Sequence, residues 1–107
     1  MDVSLFIQKI HKSGINTITG IPDSTLRIFC DYLANEGKDI FDFHIVPENE
    51  GGCIGIAVGE YLSTGSPACV YMQNSGLGNA VNPVTSLANS DVYGIPMLFI
   101  IGWRGEP

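Results

Sequence analysis

The stretch Val46-Pro47-Glu48-Asn49-Glu50-Gly51-Gly52 runs an apolar strand into a glycine-rich helix whose first turn is acidic. A carboxylate held there can bind a ligand or exchange a proton at the carboxyl edge of a sheet, where open α/β folds place their ligands. It can equally do no more than meet the helix dipole, for a few tenths of a kcal/mol up to about 1 kcal/mol. Glu48 offers the same dipole benefit as Glu50, so a second acid adds little stability and leaves one of the two free for another task. A second polar run, Asn74-Ser75-Gly76-Leu77-Gly78-Asn79, has backbone N–H groups that can receive an anion or a carboxylate, or simply cap a helix. It departs from the dinucleotide fingerprint because Val81 holds the third glycine position, which disfavours a plain NAD or FAD site. Pro22-Asp23-Ser24 adds a tight polar turn, and Gly102 to Glu106 a loop carrying Arg104. His44 lies within a strand and reads as a core or edge histidine, and His11 sits on a surface helix, so neither takes a catalytic role. Cys30, Cys53 and Cys69 are odd in number, lack a CxxC pair and sit among apolar residues. They read as reduced core cysteines of a cytoplasmic protein, with a catalytic thiol as the minority alternative.

The elements that must position these groups follow from periodicity. Val3, Phe6, Ile7 and Ile10 share one helical face, Asp2 can cap and Gly14 can stop the helix, which predicts residues 2 to 13 as amphipathic. Ile15 to Gly20 is a β-branched run ending in the Pro22 turn, and Leu26, Phe29, Cys30 and Leu33 repeat the helical spacing with Asp23 or Ser24 as cap. Phe41 to Val46 reads as a strand, and Ile54, Ala57, Val58 and Tyr61 as a third helix ending near Gly65-Ser66-Pro67. Ala68 to Met72 is a third strand, Gln73 to Asn79 a loop, residues 80 to 90 a helix holding Pro83 in its first turns, and Met97 to Ile101 a fourth strand. This alternation predicts a three-layer α/β/α domain with a mostly parallel sheet covered on both faces. The loops at Pro22–Ser24, Pro47–Glu50, Asn74–Asn79 and Gly102–Glu106 then fall on one edge of the sheet and define a candidate site.

Gly51, Gly55 and Gly59 recur every four residues on the third helix, and each costs about 0.5 to 1 kcal/mol relative to alanine. Close packing on the helix's own sheet is one compensating reason, and the near approach of a second chain, a domain or a ligand is the other.

At 107 residues the chain suits one small domain, short for a complete doubly wound enzyme. Hydrophobic residues make up 45% and charged ones only 15%, which places it with buried α/β cores and leaves surface for a partner. Eleven acids against 5 bases give a net charge of −6 without a basic cluster, which argues against nucleic acid. The chain has no basic leader region and no apolar run of membrane-spanning length, so a soluble, unprocessed protein is expected. It stops at Trp103-Arg104-Gly105-Glu106-Pro107, just past a strand that such a fold normally follows with a helix, so a truncated domain is expected.

Five segments carry a resemblance: Gly20-Ile21-Pro22-Asp23-Ser24, Glu48-Asn49-Glu50-Gly51-Gly52, Tyr71 to Asn79, Asn82-Pro83-Val84-Thr85-Ser86-Leu87, and Ile101 to Pro107. Together they resemble the pyrimidine-binding domain of thiamine-diphosphate-dependent decarboxylases, most closely the phosphonopyruvate decarboxylase branch, over nearly the whole chain. The resemblance implies that residues 1–107 are this domain without its C-terminal part, and that Glu50 is catalytic. In that role Glu50 hydrogen-bonds a ring nitrogen of the aminopyrimidine and favours the imino tautomer that deprotonates the thiazolium carbon. It further implies that Pro47, Asn74 and Gly76 line the cofactor site, that Asp23 handles a proton, and that Asp23, Ser24, Asn74 and Ser75 contact a 2-oxo acid substrate. Family members of this kind bind the diphosphate and Mg²⁺ on a second domain with a GDG motif, which this sequence lacks. The resemblance thus implies a site shared between subunits of a homo-oligomer, a chain inactive by itself and without a metal site of its own, and a place in phosphonate biosynthesis. The alternatives are the alpha subunit of a sulfopyruvate decarboxylase, paired with a beta subunit, and a non-catalytic α/β binding module. Arg104 is either a cation that meets a phosphonate or carboxylate, or an ordinary exposed loop arginine.

Overall fold

In a computed structural model that describes residues 2–105, four parallel strands carry helices on both faces. The first helix, α1 (Val3–Lys12), is capped by Asp2, whose carboxylate accepts from the Leu5 N–H, and it buries Ile7 and Ile10. Strand β1 (Thr17–Gly20) leads into a 3₁₀ turn at Ser24–Leu26 and then α2 (Arg27–Glu36). Asp23 caps that tight turn and not the α-helix, whose own cap, Leu26, has no side-chain bond to give. Next come β2 (Phe43–Ile45), α3 (Glu50–Thr64), β3 (Ala68–Gln73), α4 (Leu77–Pro83) and β4 (Met97–Gly102).

The strand order is β2-β1-β3-β4, so the chain reverses direction across the sheet between β1 and β3. Loops leaving the carboxyl ends of those two strands flank a topological switch point, the place where such folds open a crevice. Alternation along β3 serves both layers. Cys69 and Tyr71 pack with α1 and α2 against Ile7, Phe29 and Leu33, while Ala68, Val70 and Met72 pack with α3 and α4 against Ile54, Ala57 and Ala80. Each fully buried aliphatic such as Ile18 or Ile54 contributes about 1.5–3 kcal/mol. His44 on β2 meets the buried Tyr71 hydroxyl at 2.7 Å, the half-buried edge position expected of it. His11 stands edge-on to the Phe41 ring. Cys53 and Cys69 are buried, Cys30 is half-buried, and none forms a disulfide.

Two expectations need correction. The run Gln73–Asn79 is not an open loop: β3 extends through Gln73, a 3₁₀ turn occupies Asn74–Gly76, and α4 begins at Leu77. The helix expected at 80–90 accordingly starts earlier, and it gives way to a π-helical turn at Val84–Ala88, closed by Asn89 N–H donating to the Val84 carbonyl. Pro83 explains the change, since it offers no N–H to the Asn79 carbonyl four residues back. That carbonyl instead lies 3.1 Å from where a Cβ on Gly51 would stand, so glycine at 51 lets α3 and α4 approach.

The glycine face of α3 separates the two reasons weighed for its glycines. Cys53, Ile54, Ala57 and Val58 bury the side facing the sheet, whereas Gly55 and Gly59 are exposed and a Cβ on either would meet nothing within 4 Å. Packing on the helix's own sheet therefore does not account for those two glycines.

Candidate active site

Asn49 caps α3 by accepting from the Gly52 N–H at 3.0 Å, which places Glu50 as the first helical residue. Pro47 braces this entry, with its ring 2.9 Å from the position of a Cβ on Gly52. Glu50 then reaches across to the start of α4. Its Oε1 accepts from Asn79 Nδ2 at 2.9 Å, and its Oε2 lies 2.6 Å from where a Cβ on Gly76 would stand. A side chain at 76 would evict the carboxylate. Glycine there makes a cradle, and Asn79, three residues on along the same face, fixes the remaining oxygen.

A second cluster sits at the other end of the Asn74–Gly76 turn. Arg104 donates from Nε to Gln73 Oε1 at 2.9 Å, and from Nη2 to Ser24 Oγ at 2.8 Å and to both Asp23 oxygens at 3.3 Å. Asn74 clips the Arg104 main chain from both sides: its Oδ1 accepts from the Arg104 N–H at 3.0 Å and its Nδ2 donates to the Arg104 carbonyl at 2.9 Å. The Asp23 carboxyl is held below its ordinary range, chiefly by the Thr25 hydroxyl at 2.6 Å, then by the Thr25 N–H at 2.8 Å, with Arg104 adding to the effect and partial desolvation opposing it. Asp23 therefore stands here as an ionised acceptor. Ser75 is exposed on the turn between the two clusters.

Of the residues expected from the sequence, the structure joins Glu50 to Gly76, and Asp23 and Ser24 to Asn74 through Arg104. Sequence reasoning missed Asn79 and Gln73 as partners. Asn79 was signalled only by its spacing from Gly76, and Gln73 by nothing but its place at the end of a strand. Of the Gly102–Glu106 loop, Glu106 lies outside the described residues, as does Pro107 of the longer segment. Among the described residues no three His, Cys, Asp or Glu side chains gather as a metal site, and no helix is long and apolar enough to cross a membrane. A cleft of about 700 Å³ opens beside the Asp23 cluster, lined by Val3, Phe6, Leu26, Phe29 and Ile100, and it reaches this site at Ser24 and Thr25.

The model of the thiamine pyrophosphate enzyme N-terminal TPP-binding domain matches residues 3–107. The chain belongs to this family. Within it, the chain is 43% identical over 97 residues to the sulfopyruvate decarboxylase subunit alpha of Methanococcus maripaludis, a match spanning 91% of this chain and 54% of that one. It is 35% identical over 94 residues to the phosphonopyruvate decarboxylase of Streptomyces viridochromogenes, spanning 88% of this chain and 22% of that one. This thiamine pyrophosphate family chain thus covers about half the length, or less, of these curated relatives. A solved putative thiamin diphosphate-dependent enzyme from Mycobacterium smegmatis superposes with a TM-score of 0.70 at 24% identity, over 94% of this chain and 18% of that one, which establishes the shared α/β fold. The residues present fit the pyrimidine of that cofactor: a half-buried carboxylate at the carboxyl edge of the sheet, kept clear by a glycine and oriented by an amide.

Proposed function

We propose that residues 1–107 form the pyrimidine-binding part of a thiamine-diphosphate-dependent decarboxylase, a carboxy-lyase acting on a pyruvate with a second anionic group on C3. The observation that carries this reading is the Glu50 carboxylate, fixed by Asn79 and pressed against Gly76 at the start of α3, in a chain of this family. When bound, thiamine diphosphate supplies the carbon nucleophile and the electron sink for loss of carbon dioxide. Glu50 presents Oε2 to a pyrimidine ring nitrogen and exchanges a proton there, while Asn79 keeps Oε1 occupied so that only one orientation is available. Pro47, Gly76 and the Asn74 main chain shape the wall, the Asn74 amide holds the Arg104 loop in place, and exposed Ser75 faces the reacting end of the substrate beside Asp23 and Ser24. Asp23, held ionised by Thr25 and Arg104, acts as a hydrogen-bond acceptor beside the substrate and takes up a proton only once those bonds are given up.

Phosphonopyruvate is the substrate favoured by the sequence motifs, and the product would be phosphonoacetaldehyde, an intermediate suited to phosphonate biosynthesis. Sulfopyruvate is the second reading, favoured by the higher identity to a sulfopyruvate decarboxylase alpha subunit. In either case a diphosphate-binding domain or beta subunit holds the diphosphate and Mg²⁺, in a cytoplasmic oligomer. The exposed Gly55 and Gly59 face of α3 is where that partner packs.

The test is decarboxylation of each substrate by the complete protein, with and without thiamine diphosphate and Mg²⁺. Turnover should require both, and Glu50→Gln should lower it by orders of magnitude while leaving the circular dichroism unchanged. Near-normal turnover by Glu50→Gln would remove the assignment.

A further inference from the structure

The geometry points to Arg104 as the residue that binds the second anionic group of the substrate, a tetrahedral oxyanion on C3, by exchanging its loose contact with Asp23 for that oxyanion. This rests on the proposed decarboxylase reading and adds what selects its substrate.

Charge supply narrows the choice. The chain carries −6 overall with only 5 bases. Lys9 and Lys12 lie on α1, Lys38 follows α2, and Arg27 faces Asp31 on its own helix at 3.9 Å. Arg104 alone among them hydrogen-bonds residues at the carboxyl ends of β1 and β3, flanking the switch point.

The bonding pattern is that of an exchangeable cation on a fixed mount. Asn74 pins the main chain on both sides, and Gln73 holds Nε at 2.9 Å, so the guanidinium plane is set before any ligand arrives. Contact to Asp23 is long at 3.3 Å to each oxygen, where charge-assisted N–H···O bonds run about 2.7–2.9 Å. Asp23 has stronger partners of its own in the Thr25 hydroxyl and N–H, and it keeps them if Arg104 turns away. Loss of the pair therefore strands neither group. The Arg104 side chain is 54% exposed, which leaves its fork open to a ligand from solvent, and a planar fork matches phosphonate or sulfonate oxygens two at a time. Asn74, which holds the Arg104 main chain, and Gly76, which packs against Glu50, stand two residues apart on one 3₁₀ turn, so the Arg104 loop and the Glu50 cradle share one edge of the sheet.

The experiment compares wild type, Arg104→Gln and Arg104→Lys in the complete enzyme with its partner, using kcat and KM for phosphonopyruvate and sulfopyruvate. Inhibition constants are measured alongside for 3-phosphonopropanoate, 3-sulfopropanoate and propanoate. Arg104→Gln should weaken binding of the doubly anionic compounds roughly 10-fold or more and change that of propanoate less than about 2-fold, with Arg104→Lys between. The phosphonate and sulfonate arms show which head group the native site prefers. Equal weakening for propanoate, or no weakening at all, overturns the assignment and leaves Arg104 a loop clip. If wild type decarboxylates neither substrate, or Glu50→Gln retains turnover, the decarboxylase reading fails and this inference fails with it. Activity that depends on Glu50 but is indifferent to Arg104 sinks the inference alone. Urea midpoints keep a folding defect separate, because Arg104→Lys retains the backbone clip by Asn74.

Discussion

Gly76→Ala separates the placement of Glu50 from the stability of the fold. The backbone at 76 is right-handed helical, φ −72° and ψ −15°, so alanine fits its conformation and gains about 0.5–1 kcal/mol over glycine. The new methyl would stand 2.6 Å from Glu50 Oε2, 2.7 Å from Cγ and 2.9 Å from Cδ. Ordinary contact begins near 3.4 Å, so the carboxylate must retreat by about 0.8 Å. Retreat breaks the 2.9 Å bond from Asn79, a loss of about 0.5–1.5 kcal/mol that nearly cancels the helical gain. Net stability should stay within about 1 kcal/mol of wild type. Turnover is another matter, since a displacement approaching 1 Å at a reacting group costs about 10- to 100-fold. The matched control is Gly78→Ala, where a Cβ meets nothing within 4 Å. It should raise the urea midpoint slightly and leave turnover alone. The assay is steady-state decarboxylation by the complete enzyme beside urea titrations of both variants. Turnover by Gly76→Ala within about twofold of wild type would refute the cradle, and a stability loss of several kcal/mol would make Gly76 a packing residue.

Gly55→Leu should stabilise the isolated chain by about 0.5–1 kcal/mol through helix propensity, yet weaken assembly of the complete protein, seen as a lower mass by light scattering. Burial pushes the His44 imidazole below its ordinary value of 6.5, so the unfolded chain binds more protons below that pH. Stability is therefore full above pH 6.5 and falls as pH drops below it, and urea midpoints of His44→Gln should be flatter between pH 7.5 and 5.5. Burial also pushes the Cys69 thiol up to about 12, and Cys53 is buried as well. With a thiol reagent at neutral pH, half-buried Cys30 should react first, and Cys69 only on unfolding.

Local chemistry made most of the fold legible. The i, i+3, i+4 stripe of Val3, Phe6, Ile7 and Ile10, the Asp2 cap and the β-branched runs each report on residues a few positions away. The errors lie where distance in sequence decides the matter. Nothing near Arg104 announces Asn74, 30 residues before it, or Asp23, 81 residues before it, so its role as a bridge was illegible. The spacing of Gly55 and Gly59 does not say which way they face, and only the packing of Ile54 and Val58 on the sheet turns them outward. Glu50 was nameable from its motif. That Gly76 and Asn79 aim it required the two helices to be set side by side.

The two edges of the sheet differ in how they meet other molecules in solution. Strand β2 is three residues long, with Asp42 and Glu48 close by, which makes it a poor template. Strand β4 is six residues of uncharged Met97-Leu98-Phe99-Ile100-Ile101-Gly102, paired with β3 on one side and with nothing on the other among the described residues. Such an edge recruits further strands indiscriminately. Prepared alone at high concentration, the chain should grow into insoluble aggregates from this edge. A lysine at Leu98, 39% exposed, is the gatekeeper that would keep it in solution.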